Sequence, residues 1–443
     1  MVDRGFCPQS IYGIRTYDHK YTLRLANSDG ALDQYRTLWS TDQAAFSVYA
    51  ADDSTIGSTW PTDTGTTDLK FARHITRVIV SSSEVILEAD GGSIKEFLDV
   101  RLAQLYSALY NTFTENKPQL WAAGLVTVDL DAIQIVGAST DFDEGVRAAE
   151  VVQVYANGGV VAPAAAVGAG EFSLVTASVE GDRIAAKLAQ PTVAAPASSG
   201  DAFNAIMDAA GFVSGTSYTQ GWARDAMDET IQTGVSARDE TRLVTIEKIL
   251  AGFDAGLYES NAGKIEVACL QDFYEINAIG AAYDLTQREI LSIEVETAPF
   301  DGLGKRMSWA QNDAVHSATG ATFSDPYLLQ AANQSRDGGT YADYYKNNEG
   351  VKTRVFESWF AEESPGIADS EAHLIGFYSA ENMLINLTAP GFDLQELNPG
   401  RNVSITHSRF DLGVMPNVFQ LLNLQYDLML LSTRMQLIGK KRL

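Results

Sequence analysis

"KYTLRLA", Lys20 to Ala26, sets Tyr21, Leu23 and Leu25 on one side and Lys20, Thr22 and Arg24 on the other. That period of two is the mark of a half-buried strand. Strand-like runs follow in "FSVYAA", "HITRVIVSS", "EVILEA", "LVTVDL", "AIQIVG", "VVQVYA" and "FSLVTASV", and near the end in "RNVSITHSRF", "VFQLLNLQYDL" and "STRMQLIG". Clusters of Gly, Asp, Asn, Ser and Thr separate these runs, so the chain reads as mainly β within an α+β class. Residues 1–110 have the spacing of a small antiparallel barrel or sandwich.

The first of these strands runs into "NSDGALD", Asn27 to Asp33, which has the residue types of a calcium loop. An EF-type loop needs oxygen ligands at positions one, three and five, glycine at six and a bidentate acid at twelve. With Gly30 at position six, Leu25 stands at one and Arg36 at twelve, so two ligand positions fail. Asn, Asp and Gly accept positive φ and bond their own backbone, and the segment reads as a hairpin turn without metal. Asn157-Gly158-Gly159 and Glu180-Gly181-Asp182 are turn signals of the same kind.

A period near 3.6 appears in four places. "GGSIKEFLDVRLAQLYSAL" spaces Ile94, Phe97, Leu98, Leu102, Leu105 and Leu109 by three and four residues, and is expected to pack on the preceding sheet. "PTVAAPASSG", Pro191 to Gly200, is a Pro/Ala/Ser linker. "SSGDAFNAIMDAAGF" follows, with Ser and Asp available as caps and Phe203, Ile206, Met207 and Ala210 on one face. "SARDETRLVTIEKILAGFDAG" carries Leu243, Ile246, Ile249, Leu250 and Phe253 and is expected to close on Gly256. A further helix is expected at "DSEAHLIGFYSAENMLINLT", Asp369 to Thr388.

The 443 residues are 45% hydrophobic and 20% charged, enough for several cores, and carry a net charge of −25. The acid is concentrated: residues 201–300 hold 17 Asp and Glu against 6 Lys and Arg. Such a surface repels phosphate, which argues against groove-type nucleic-acid binding and allows a polyanion to pass without sticking. No run approaches a membrane span and "MVDRGFCPQS" lacks the apolar core of a secretory signal, so no membrane anchor is expected and assembly in a cytoplasm is. Cys7 and Cys269 stand far apart and the five His make no pair at metal spacing.

Catalytic motifs fail when tested. "GLYESNAGK" has six residues between its glycines and Ile265 where a phosphate-binding loop needs Ser or Thr. No GxSxG or HExxH occurs, and "GLGKRM" lacks the last glycine of a dinucleotide fingerprint. No catalytic, cofactor-binding or metal-binding residue is therefore assigned. "YADYYKNN", Tyr341 to Asn348, is a loop that suits stacking on a sugar or contact with a protein.

The order of the pieces resembles the baseplate hub, or central tail-tip hub, family of tailed bacteriophages. "TLRLANSDGALD" is similar to the strand and N-x-DG-x-hydrophobic-D turn near the start of such proteins. The strand pair "HITRVIVSSSEVILEA" is followed by Phe97-Leu98-Asp99-Val100-Arg101-Leu102, then by Lys117-Pro118 and the hairpin "VVQVYANGGV". "NPGRNVSITHSRFDLGVMPNVFQLLNLQYDLMLLSTRMQLIG" resembles the family's ending, G-x-x-V-x-(I/V)-x-H-x-R-(F/Y)-x-L, a turn and two strands. The resemblance implies two tube-forming β-barrel-like domains per subunit, with peripheral β and α+β modules. Four segments follow: a barrel-like hub domain at 1–117, a β-rich module at 118–195, an acidic α+β hub domain at 196–300 and a C-terminal module at 301–443. It implies a non-enzymatic homotrimer at the virion's tail tip, adapting a hexameric tube to threefold parts. Its partners would be the distal tail protein, the tape-measure protein, tail fibres or spikes, and viral DNA passing unbound through the lumen. Two other readings compete: a receptor-binding tail fibre or spike, favoured by the Tyr/Asn loops, and a glycan-degrading tail enzyme, favoured only by the abundance of acids.

Overall fold

A computed structural model describes residues 2–5, 20–35, 45–49, 69–90, 94, 98–102, 116–124, 126–136, 139–143, 150–157, 159–161, 163–168, 171–174, 182, 184–189, 191–192, 195–196, 198–219, 234–251, 253–260, 264–270, 281, 283–297, 306–307, 335–336, 382–391, 397–410, 412, 417–427, 430 and 432–440. Among them strands far outnumber helices, and the class is mainly β.

The N-terminal segment supplies β1 (Val2–Gly5), β2 (Lys20–Ala26), β3 (Arg77–Val80) and β4 (Glu84–Asp90). β2 pairs antiparallel with β4 over its whole length, from Lys20 opposite Asp90 to Ala26 opposite Glu84. The alternation in sequence is the alternation of the sheet. Tyr21, Val85, Leu87 and Ala89 are buried, Leu23 and Leu25 pack beside them, and Arg24 points away.

"NSDGALD" is a turn, closed by its own side chains. Asn27 is buried; its Oδ1 accepts the Leu32 N–H at 2.9 Å and its Nδ2 donates to Asp33 at 2.7 Å. Asp29 Oδ1 accepts the Ala31 N–H at 3.1 Å, and Gly30 takes φ +69°. The expected hairpin is a different object, however. The turn leads into a 3-10 turn at Asp33–Tyr35, while the neighbours of β2 are β1 and β4. The turn caps a strand and does not fold it back on the next, because β4 already holds that edge, and the carbonyl of Ser83, just before β4, accepts the Asn27 N–H at 2.9 Å.

Two four-stranded sheets follow between residues 126 and 189. The Asn157-Gly158 signal is a two-residue hairpin loop with Ala156 opposite Gly159 and Asn157 at φ +49°. The Pro191–Gly200 linker contains a minimal hairpin, Pro191 opposite Pro196, and ends at Ser198.

An α+β lobe is built from β5 (Trp121–Gly124), α1 (Ser199–Ala209), β6 (Tyr218–Thr219), β7 (Gly234–Ala237), α2 (Arg242–Ala251), β8 (Ala255–Glu259) and β9 (Ile265–Cys269). Ser198 caps α1 in a capping box: its hydroxyl accepts the Asp201 N–H and the Asp201 carboxylate accepts the Ser198 N–H, each at 3.1 Å. Phe203, Ile206 and Met207 face Ile246, Ile249 and Leu250 of α2 in one buried core, the faces read from the period. The stop of α2 differs from the reading. The helix ends at Ala251, Asp254 takes the left-handed conformation at φ +51°, and Gly256 lies inside β8.

The segment after β4 also differs. Ile94 and Leu98 are helical, but the chain bends at Asp99, and residues 103–115 lie outside the described residues. Leu102 N–H bonds the Glu240 carbonyl at 3.1 Å and Arg242 N–H bonds the Val100 carbonyl at 2.9 Å. These bonds dock the segment at the start of α2, so Ile94, Leu98 and Leu102 are buried in the lobe's core and not on the N-terminal sheet.

The C-terminal region gives β10 (Tyr283–Thr286), β11 (Ser292–Thr297), β12 (Asn382–Pro390), β13 (Asn402–Thr406), β14 (Asn417–Asp427) and β15 (Ser432–Lys440). β12 overturns part of the helix expected at Asp369–Thr388. Met383, Ile385, Leu387 and Ala389 are buried at every second position, and β11 and β15 take up the backbone on both sides. Residues 369–381 lie outside the described residues.

One ten-stranded sheet joins the two ends of the chain, in the order β11-β12-β15-β14-β1-β2-β4-β3, with β13 and β10 branching from β14. Its inner face buries Ile385, Phe419, Leu421, Leu424 and Leu437 together with Val85 and Leu87. Each such side chain contributes about 1.5–3 kcal/mol by leaving water.

Candidate assembly surfaces

The other face of the sheet is mostly polar, with Ile79 and Ile86 in the row of Arg24 and Leu384 and Ile438 in the row of Glu296. Because the strands are in register, its side chains form cross-strand rows: Glu294, Asn386, Gln436 and Asn423 in one, and Ser292, Thr388, Arg434 and Gln425 in the next. Gln436 Nε2 donates to Asn386 Oδ1 at 3.1 Å. These rows floor an open groove of about 420 Å³. On the N-terminal half of the face the chemistry changes to ion pairs, Arg24 with Glu84 at 3.4 Å and Arg77 with Glu88 at 3.3 Å. Along the described face Arg24, Arg77 and Arg434 stand against Glu84, Glu88, Glu294 and Glu296, close to balance on a chain of net charge −25.

Towards the other end of β14 the same face is covered by the lobe. Gln420, fully buried, donates from Nε2 to the Cys269 carbonyl at 2.8 Å and the Gly400 carbonyl at 3.1 Å, and so ties the end of β9 to the sheet. Gly400 takes φ +84°, and a Cβ there would lie 2.8 Å from the Cβ of Ala268. Only glycine permits both the backbone and the approach. Arg401, half-buried beside Tyr258 and Glu266, has its guanidinium pKa drawn down by burial, against the pull of those two neighbours. The Tyr258 hydroxyl in turn donates to the Glu266 carboxylate. At the far side of the lobe Tyr218 donates to Asp208 at 3.1 Å, and burial together with that carboxylate raises the Tyr218 pKa to about 12.

None of this has the layout of a catalytic centre. Cys269 is buried in the lobe's core and His407 accepts the Arg409 N–H on Nδ1 at 3.2 Å. Lys264 of the tested glycine-lysine loop donates to the Gly215 carbonyl. Cys7 and Tyr341–Asn348 lie outside the described residues. Among the described residues no three His, Cys, Asp or Glu side chains gather as metal ligands, and no helix is long and apolar enough to cross a membrane. The joint residues Gly400 and Gln420 were not singled out from the sequence; the only signal was the glycine of "NPGR" directly before a strand.

No protein-family model and no curated protein matches the chain. Solved structures do. A component of the virion of a native gene transfer agent particle is similar at 11% identity and a TM-score of 0.48, over 79% of this chain and 92% of that one. The tail protein from Neisseria meningitidis MC58 is similar at 11% identity and a TM-score of 0.32, over 72% and 96%. The 43 kDa tail protein of prophage MuSo2 from Shewanella oneidensis is similar at 9% identity and a TM-score of 0.31, also over 72% and 96%. All three are tail or virion proteins.

Proposed function

We propose that this protein is a structural, non-enzymatic component of a phage tail tip: a trimeric hub that joins a hexameric tube to threefold parts and forms part of the channel for DNA. The observation that carries the reading is a repeat inside the sheet. Every step from β11 to β3 is antiparallel. The sheet therefore splits at the β14–β1 contact into two four-stranded units, β11-β12-β15-β14 and β1-β2-β4-β3, which run through the same sequence of strand directions. One copy presents the same kind of unit twice, and three copies present it six times. That arithmetic meets a sixfold tube from a threefold ring.

The polar face suits the wall of a passage for DNA. A basic stripe would release counterions and hold the duplex, with affinity that grows with each phosphate neutralised. Here two of the described arginines on the face are matched by carboxylates, and the rest mixes amide and hydroxyl groups with Arg434, Glu294, Glu296 and the apolar Ile79, Ile86 and Leu384. In this reading the neighbours are a distal tail protein, a tape-measure protein and fibres or spikes, and the proposed segments 1–117, 118–195, 196–300 and 301–443 share strands, β10 and β11 of the third joining the sheet formed by the first and last. A reconstruction of the particle's tail tip without imposed symmetry tests it. Three copies in one ring are expected; one copy, or six equivalent copies, would overturn the proposal.

A further inference from the structure

The groove floored by β11, β12, β15 and β14 is lined by two charges of opposite sign, Glu294 on β11 and Arg434 on β15, both exposed. Neither makes an ion pair among the described residues, although Arg24 and Arg77 on the same face are each held by a carboxylate. Glu294 stands opposite Asn386, and Arg434 stands opposite Thr388 in the next row. The two charges are therefore two strands and one row apart. With strands about 4.8 Å apart and same-face neighbours about 6.8 Å apart along a strand, their Cα atoms lie about 12 Å from one another. The floor between them is polar. Gln436 Nε2 donates to Asn386 Oδ1 at 3.1 Å, which fixes the Asn386 amide and leaves its Nδ2 to donate to something in the groove.

From this layout we propose that the groove binds a short extended peptide with both ends free, its carboxylate on Arg434 and its ammonium on Glu294. The charges select the ligand. A guanidinium presents a planar fork that takes a carboxylate in two parallel hydrogen bonds, and a carboxylate accepts from an ammonium. Three extended residues span roughly 10 Å, close to the separation of the two charges, whereas the charged groups of a single amino acid are too near each other to reach both. The volume of about 420 Å³ suits a ligand of that size. Peptide groups both donate and accept, as do the amide of Asn386 and the hydroxyl of Thr388 beneath them. A phosphate chain offers acceptors only and would meet Glu294. The zwitterion adds no net charge to the face, so the inference goes beyond the hub reading and does not depend on it.

Equilibrium dialysis of the full chain against labelled trialanine, N-acetyl-trialanine and trialanine amide tests it. Trialanine should bind saturably, and blocking either end should weaken it about three- to tenfold. Arg434→Gln should abolish the penalty for amidation while keeping that for acetylation, and Glu294→Gln should do the reverse. Both side chains are exposed, so neither change empties a core. Glu84→Gln alters the same net charge away from the groove and should leave all three affinities unchanged. Absence of saturable binding, blocked peptides that bind as tightly as the free one, or penalties that neither groove variant shifts would each overturn the proposal.

Discussion

The two four-stranded halves of the sheet share their strand directions and differ in what holds them. The β11-β12-β15-β14 half is sealed by burial: Ile385, Leu421, Leu424 and Leu437 are fully inaccessible, β10 and β13 add to the same core, and its outer face is tied by amides. The β1-β2-β4-β3 half buries fewer residues, leaves Leu23, Leu25, Val78 and Val80 partly open, and carries ion pairs on its outer face. Exposed ion pairs contribute little, about 0–1 kcal/mol each. The same backbone plan can therefore be met by a self-sufficient half and by one that leans on its neighbours.

The largest effect should separate the halves by core truncation. Leu437→Ala is expected to cost about 3–5 kcal/mol and Leu87→Ala about 2–3 kcal/mol, because the second site can relax toward an open edge. Denaturant titration of both variants gives the difference, and equal losses would erase the contrast. Next comes the joint that Gly400 and Gln420 make between the β11-β12-β15-β14 half and the lobe. Gly400→Ala forces a left-handed alanine against Ala268 and should cost about 1–3 kcal/mol; hydrogen exchange at β8 and β9 should rise with it. No change in exchange would mean that the lobe is held elsewhere.

A smaller effect is a pH dependence confined to the lobe. The Tyr218 pKa is raised in the folded chain to about 12 from 10.0. The neutral phenol is thus favoured by folding: its contribution is complete below pH 10 and is lost as pH rises through about 12. Tyr218→Phe should flatten the stability profile in that window, and an unchanged profile would count against the Asp208 contact. The smallest effect belongs to the ion-paired half. Glu84→Gln with Glu88→Gln should change stability by less than about 1 kcal/mol per pair, and 1 M salt should mimic it. A larger loss would show that this half depends on charge after all.

Local conformation was legible where one period dominated. Lys20–Ala26 alternates throughout, Asn423–Asp427 alternates after the irregularity at Leu421–Asn423, and Ser198 with Asp201 announces a helix start by chemistry that acts over three residues. "NMLINLT" was misread because Met383, Leu384, Ile385 and Leu387 satisfy either period, and only the strands on both sides decide between them. The docking of Ile94, Leu98 and Leu102 in the lobe was hidden for a related reason: an apolar face states that it will be buried, not against what. Gln420 gave no signal at all, since a glutamine in a strand is ordinary until two distant carbonyls are placed on its amide.

β14 offers one edge to two strands, β13 along Asn417–Gln420 and β1 along Asn423–Tyr426. The second of these is a contact between residues more than 400 positions apart. A ribosome adding about 5–20 residues per second takes roughly 20–85 s to make the chain between them. β1 is synthesised long before the strand that it pairs with and is seated only after that strand is made. Until β14 emerges, β2 has β4 on one side and only the short β1 on the other. The two halves of the sheet thus become one only once β14 is made, and a nascent chain halted before residue 417 holds the β1-β2-β4-β3 half without the strand that fuses it to the other.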